Sequence, residues 1–92
     1  MAKHYAVLLN TKGALPTNES IESALATVVT DWLRFAKGQY LVYTNHDAEA
    51  VSNAVRPLLL AGDHIIVLEV NLGNRFGWAS NLAINWIKKY AP

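Results

Sequence analysis

Two segments of this chain, HYAVLLN at residues 4–10 and DHIIVLEVN at residues 63–71, alternate as strands do but are apolar on both faces. In the first, Tyr5, Val7 and Leu9 point one way and Ala6 and Leu8 the other. In the second, Ile66, Leu68 and Val70 oppose Ile65, Val67 and Glu69. A strand that shows one face to water carries polar residues at every second position. These do not, so the sheet that holds them needs cover on both sides. With 92 residues, the chain is at the small end of what folds alone and buries roughly 60–65% of its unfolded surface. Its residues are 52% hydrophobic and only 16% charged, against about 25% charged in ordinary soluble domains. A second copy of the chain is the simplest cover, and a homodimer is expected.

The other elements separate well. TKGALPTN is a loop broken by Gly13 and Pro16, and Thr17 or Asn18 caps the helix that follows. Ile21, Leu25, Val28, Val29 and Trp32 recur at helical spacing, which predicts a buried face and a helix ending near Thr30. WLRFA and QYLVYT flank Lys37–Gly38 as a hairpin. TNHDAEAVSNAVRPLLLAGD reads as a second helix, capped by Asp47 or Asn45, disturbed at Pro57 and terminated near Gly62. A last helix, ASNLAINWIKKYA, carries Ala79, Leu82, Ala83, Trp86, Ile87 and Tyr90 on one stripe. The order is β-α-β-β-α-β plus a helix, which predicts a single α+β domain over residues 1–92: a ferredoxin-like sandwich with an additional C-terminal helix. Two helices cover one face of its sheet; the last helix, a partner subunit, or both must cover the other.

Composition also narrows the chemistry. Without cysteine the chain has no disulfide, no thiolate nucleophile and no cysteine-based zinc site. Its formal net charge of +1 supplies no global attraction to nucleic acid or an anionic membrane. No apolar run approaches the ~18 residues of a membrane span, and a cytoplasmic protein is expected.

In the predicted topology the end of the first strand, Asn10 and Thr11, shares a sheet edge with Lys37, Gly38, Asp63 and His64. Asn10, Asp63 and His64 are candidate catalytic or metal-holding residues, because an amide oxygen, a carboxylate and an imidazole all ligate divalent cations. Turn chemistry is the simpler reading of each. His4, His46 and Glu69 fall near the opposite edge without diagnostic spacing. Glu19 and Glu22 read as solvated residues of a first helical turn, leaving no acid/base pair. KGQYLVYT shares a Lys-Gly start with the RNA-recognition motif, but Gln39, Leu41 and Thr44 stand where that motif stacks bases on aromatic rings. In GNRFGW, Arg75 stands beside Phe76 and close to Trp78, and with Lys88 and Lys89 it forms the candidate nucleic-acid-binding set. The simpler reading has Phe76 and Trp78 anchoring the loop and docking the last helix.

The succession HYAVLLN, WLRFA/QYLVYT, TNHDAEAVSNAVRPLL, DHIIVLEV and NWIKKY resembles a family of small bacterial proteins that is itself similar to the CRISPR-associated dimeric endoribonucleases. Tyr5 in the first strand, Asp63 opening the fourth and Trp86 in the last helix carry the likeness. The resemblance implies a ferredoxin-like protomer that dimerises. It also implies that the end of the first strand is where the nucleases place an aspartate that holds a catalytic magnesium between two subunits. Here the matching residue is Asn10, whose neutral amide oxygen is a poorer Mg²⁺ ligand than a carboxylate. The leading expectation is therefore a non-catalytic homodimeric interaction module without a cofactor, in contact with nucleic acid or another protein. The alternatives are a metal-dependent endoribonuclease using Mg²⁺, and a small-ligand-binding regulatory domain, the latter by fold analogy alone.

Overall fold

The computed structural model describes residues 2–92. Its elements are β1 (Lys3–Asn10), α1 (Asn18–Leu25), β2 (Asp31–Ala36), β3 (Gln39–Thr44), α2 (Ala48–Val55), a single 3-10 turn (Arg56–Leu58), β4 (His64–Glu69) and α3 (Asn81–Tyr90). The four strands form one antiparallel sheet in the order β2-β3-β1-β4. The chain is thus a small α+β protein with three helices on a four-stranded antiparallel sheet. No helix among the described residues is long and apolar enough to cross a membrane.

Side-chain oxygens cap the start of each helix. Thr17 accepts from the Ser20 amide at 3.1 Å, Asp47 from Ala50 at 2.9 Å and Ser80 from Ala83 at 3.2 Å. Two helices are shorter than their apolar spacing predicts. α1 stops at Leu25 and not near Thr30, because Thr27, Val28, Val29 and Thr30 are all β-branched and lose side-chain freedom in a helix. The amides of Val28 and Val29 both turn back to the Leu25 carbonyl, and Thr30 donates to Tyr43 as the sheet begins. Trp32 therefore belongs to β2. α2 gives way at Val55 to the 3-10 turn that contains Pro57, and the chain leaves helical geometry at Leu59. Gly62 consequently sits in the turn beyond, at φ +86°, and does not end the helix.

The core lies between the sheet and the first two helices. Tyr5 and Val7 of β1, with Tyr40 and Val42 of β3, meet Ile21 and Leu25 of α1 and Val51 and Val55 of α2, all buried. Thr44 is a buried polar residue that is fully occupied: its hydroxyl donates to the Val28 carbonyl at 2.6 Å and accepts the His46 amide at 3.0 Å. It ties the exit of α1 and the entry to α2 onto β3. Glu22 is not a solvated first-turn residue. It accepts the Tyr40 hydroxyl at 3.0 Å and pairs with Arg34 at 3.1 Å, joining α1 to β3 and β2. The reason is its position one residue beyond Ile21, on the flank of the buried stripe where the sheet begins.

The opposite face of the sheet is covered over one half. α3 lies on the β2–β3 side, where the rings of Tyr43 and Tyr90 meet at 4.6 Å between centroids and those of Trp86 and Tyr90 at 4.9 Å. Tyr90 donates its hydroxyl to Asp31 at 2.6 Å, and His4 Nε2 donates to the Tyr90 carbonyl at 3.1 Å. Leu33 is buried on this side. The stripe on α3 is also narrower than its spacing suggests, since Ala83 is buried whereas Leu82 is 73% exposed.

Two outcomes test these contacts. Gly38 holds φ +74° in the β2–β3 turn, its carbonyl accepts the Leu9 amide at 2.8 Å, and a Cβ there would stand 2.7 Å from the Leu9 carbonyl oxygen. Gly38→Ala is expected to lower the unfolding free energy by about 1–3 kcal/mol in urea titration. Burial, and then the hydrogen bond to Glu22, push the Tyr40 hydroxyl from 10.0 up to about 12. Its stabilisation is whole below pH 10.0, where an unfolded tyrosine ionises, and is lost as pH rises through about 12. The stability of wild type relative to Tyr40→Phe, followed by denaturation at stepped pH, should therefore be level up to pH 9 and fall above pH 10.

Candidate functional site

The sheet brings the sequence-predicted residues at the end of β1 together. Asn10 and His64 are direct cross-strand partners in the β1–β4 ladder. Residues opposite one another in such a ladder project from the same face, and both are exposed. By strand alternation they share that face with Leu8, Ile66, Ala6 and Leu68, which form the next two pairs, Leu8↔Ile66 and Ala6↔Leu68. The outcome is a two-column surface, apolar in its first two rows and polar in its last.

Asp63 lies beside this edge but is engaged in holding the chain. One carboxylate oxygen accepts the Lys12 amide at 3.1 Å and the other the Leu60 amide at 2.9 Å, so Asp63 clasps the loop after β1 to the turn before β4. Accepting these two amides, Leu60 first, holds its carboxyl below the ordinary 3.8. Lys37 and Gly38 adjoin through the Leu9–Gly38 hydrogen bond.

At the other end His4 and Glu69 are engaged separately. His4 is engaged with Tyr90 and its ring lies 5.1 Å from that of Tyr43, tilted to it, while Glu69 pairs with Lys3 at 3.6 Å. Among the described residues no group of three or more His, Asp and Glu side chains is placed to hold a metal ion together.

The basic candidates divide. Arg75 donates from Nη1 to the carbonyls of Leu72 and Ala91, both at 2.7 Å, and so fastens the loop between β4 and α3 to the end of α3. Phe76 and Trp78, expected to anchor that loop, do the opposite: both are about fully exposed, at 107% and 99%. The guanidinium performs the fastening, because it donates to two carbonyls at once, that of Leu72 in the loop and that of Ala91 just past α3. Lys88 and Arg75 line one groove with Phe35, Phe76 and Trp78. Lys89 turns aside, its ammonium 5.2 Å from the centre of the Tyr90 ring. Both lysines also sit in the last turn of α3, where positive charge is favoured by the helix dipole.

Phe35 was not among the candidates read from the sequence. The β2–β3 register slips between Arg34 and Ala36, leaving Phe35 without a partner in a bulge and 57% exposed. In WLRFA it reads as an ordinary hairpin residue, and only the one-residue slip beside the Lys37–Gly38 turn sets it apart.

No protein-family model, curated protein or solved structure matches the chain.

The clasp has a pH signature. A carboxyl held below its ordinary value stabilises the fold above that value and loses the contribution as pH falls through the lowered one. Asp63→Asn should melt below wild type at pH 7, and the two melting temperatures should converge as pH drops under 3.8.

Proposed function

We propose that the chain is a non-catalytic cytoplasmic interaction module. Its protomer is ferredoxin-like, with α3 as an addition, and two copies join through the outer face of β1 and β4. The observation that supports this reading is the uncovered half of the sheet. Leu8, Ile66 and Leu68 are 40%, 54% and 45% exposed and sit in adjacent rows of one ladder, on the face whose other half α3 shelters. Contiguous apolar surface in a chain this poor in charge marks an interface. A two-fold related copy presents the same rows and suits an isologous contact.

Within this reading the chain is a relative of the CRISPR-associated dimeric endoribonucleases that keeps their assembly and lacks their chemistry. Asn10 stands at the border of the proposed interface with a neutral amide, and its neighbour His64 adds no negative charge. Asp63, the nearest carboxylate in sequence to His64, has one backbone amide on each oxygen. This arrangement supplies a weak cradle for Mg²⁺, which favours anionic oxygens.

Light scattering on a sizing column should give twice the chain mass for wild type and the single mass for Ile66→Glu. Ile66 is half exposed in the protomer, so the variant should keep its helical circular dichroism. A wild-type monomer at tens of micromolar overturns the assembly. Cleavage of RNA with Mg²⁺ or Mn²⁺ that EDTA stops and Asn10→Ala abolishes overturns the non-catalytic reading and establishes the nuclease.

A further inference from the structure

The sheet edge farthest from the proposed dimer face carries a second apolar feature of different character. β2 lies at the opposite side of the sheet from β4. There Phe35, the loop residues Arg75, Phe76 and Trp78, and Ile87 and Lys88 of α3 line a groove of about 480 Å³. That volume is in the range of small-molecule sites, roughly 300–1,000 Å³. Three of these side chains are aromatic, and Phe76 and Trp78 have nearly all of their surface in water. Both charged residues on the lining are cations, and no carboxylate lies among them.

Arg75 is not a loose surface cation. Its two 2.7 Å bonds to the Leu72 and Ala91 carbonyls both leave from Nη1, and its Nε and Nη2 hydrogens have no acceptor among the described residues. A guanidinium offers five donors in a fixed plane. Tethering it on one nitrogen orients the others at little further entropic cost. Lys88 forms no ion pair among the described residues. Three rings and two cations on one lining, with no carboxylate among them, are complementary to a ligand with a flat apolar body and one anionic head.

We propose that this groove binds a small aromatic anion, a planar ring system bearing a carboxylate, sulfonate or phosphate. The ring lies against Trp78 and Phe76, and the head meets Arg75 and Lys88. The site is separate from the β1–β4 face and does not depend on dimerisation.

The test titrates the full chain with anilinonaphthalene sulfonate, read by the fluorescence of the probe. Trp78→Ala should weaken binding by about ten-fold, the scale of one lost buried aromatic contact. Lys88→Gln should weaken it by about three- to five-fold, as for one partly screened charge. Ile66→Ser, on the other sheet edge, should titrate like wild type. Naphthoate and naphthyl phosphate should each displace the probe, their relative strengths telling which head is preferred, and neutral naphthalenemethanol should need roughly five-fold more. Trp78 is exposed, so its removal spares the fold, which circular dichroism verifies. The inference is overturned if Trp78→Ala and Lys88→Gln bind the probe as wild type does, or if only Ile66→Ser loses it. It is equally overturned if wild type fails to bind the probe; should Trp78→Ala then turn a dimer into a monomer, a second copy fills the groove. Failure of the Ile66→Glu sizing experiment, by contrast, leaves the groove titration unchanged.

Discussion

Every arrangement in this protein follows from a sheet that has no face suited to water. β1 is a central strand, paired with β3 on one side and β4 on the other, and it is apolar in both directions. On the inner face the demand is met within the chain by α1 and α2, which close over Tyr5, Val7, Tyr40 and Val42. On the outer face the cover among the described residues is the ten-residue α3. α3 shelters two of four strands, and the rows on β1 and β4 stay open. The proposed assembly is the same demand met from outside.

The polar contacts complete what burial begins. Glu22, Thr44 and Asp63 each connect elements that the hydrophobic pattern alone would leave free to slide. Glu22 links a helix to two strands, Thr44 links two helix ends to one strand, and Asp63 links two loops. Such bonds add little net free energy one at a time, about 1 kcal/mol each, yet breaking one partner leaves the other stranded. Their effect is to select a single register and helix placement.

Strand positions and faces were legible in the sequence because alternation with period two survives any tertiary context. The hairpin at Lys37–Gly38 and the neighbourhood of Asn10 with His64 followed from that. Helix ends were harder to read. Val28 and Val29 continue the spacing of α1, and only the run of four β-branched residues speaks against a helix there. The roles of charged residues were hidden for another reason. Whether Glu22 meets water or Tyr40, and whether Arg75 meets a ligand or the Ala91 carbonyl, depends on partners 12 to 18 positions distant in the chain. Phe76 and Trp78 show the limit most plainly, since an aromatic residue in a loop reads as an anchor until its surroundings are known.

α3 is attached by contacts of a particular kind. His4 and Tyr90 meet across 86 positions of chain, the helix has one fully sheltered residue in Ala83, and the indole nitrogen of Trp86 is enclosed with no acceptor among the described residues. Segments held by few sheltered contacts detach at lower free energy than the body they rest on. Leu33 beneath α3 and Leu8, Ile66 and Leu68 beside it lie on one face of the sheet. The placement of this helix therefore sets how wide a strip of that face stays bare.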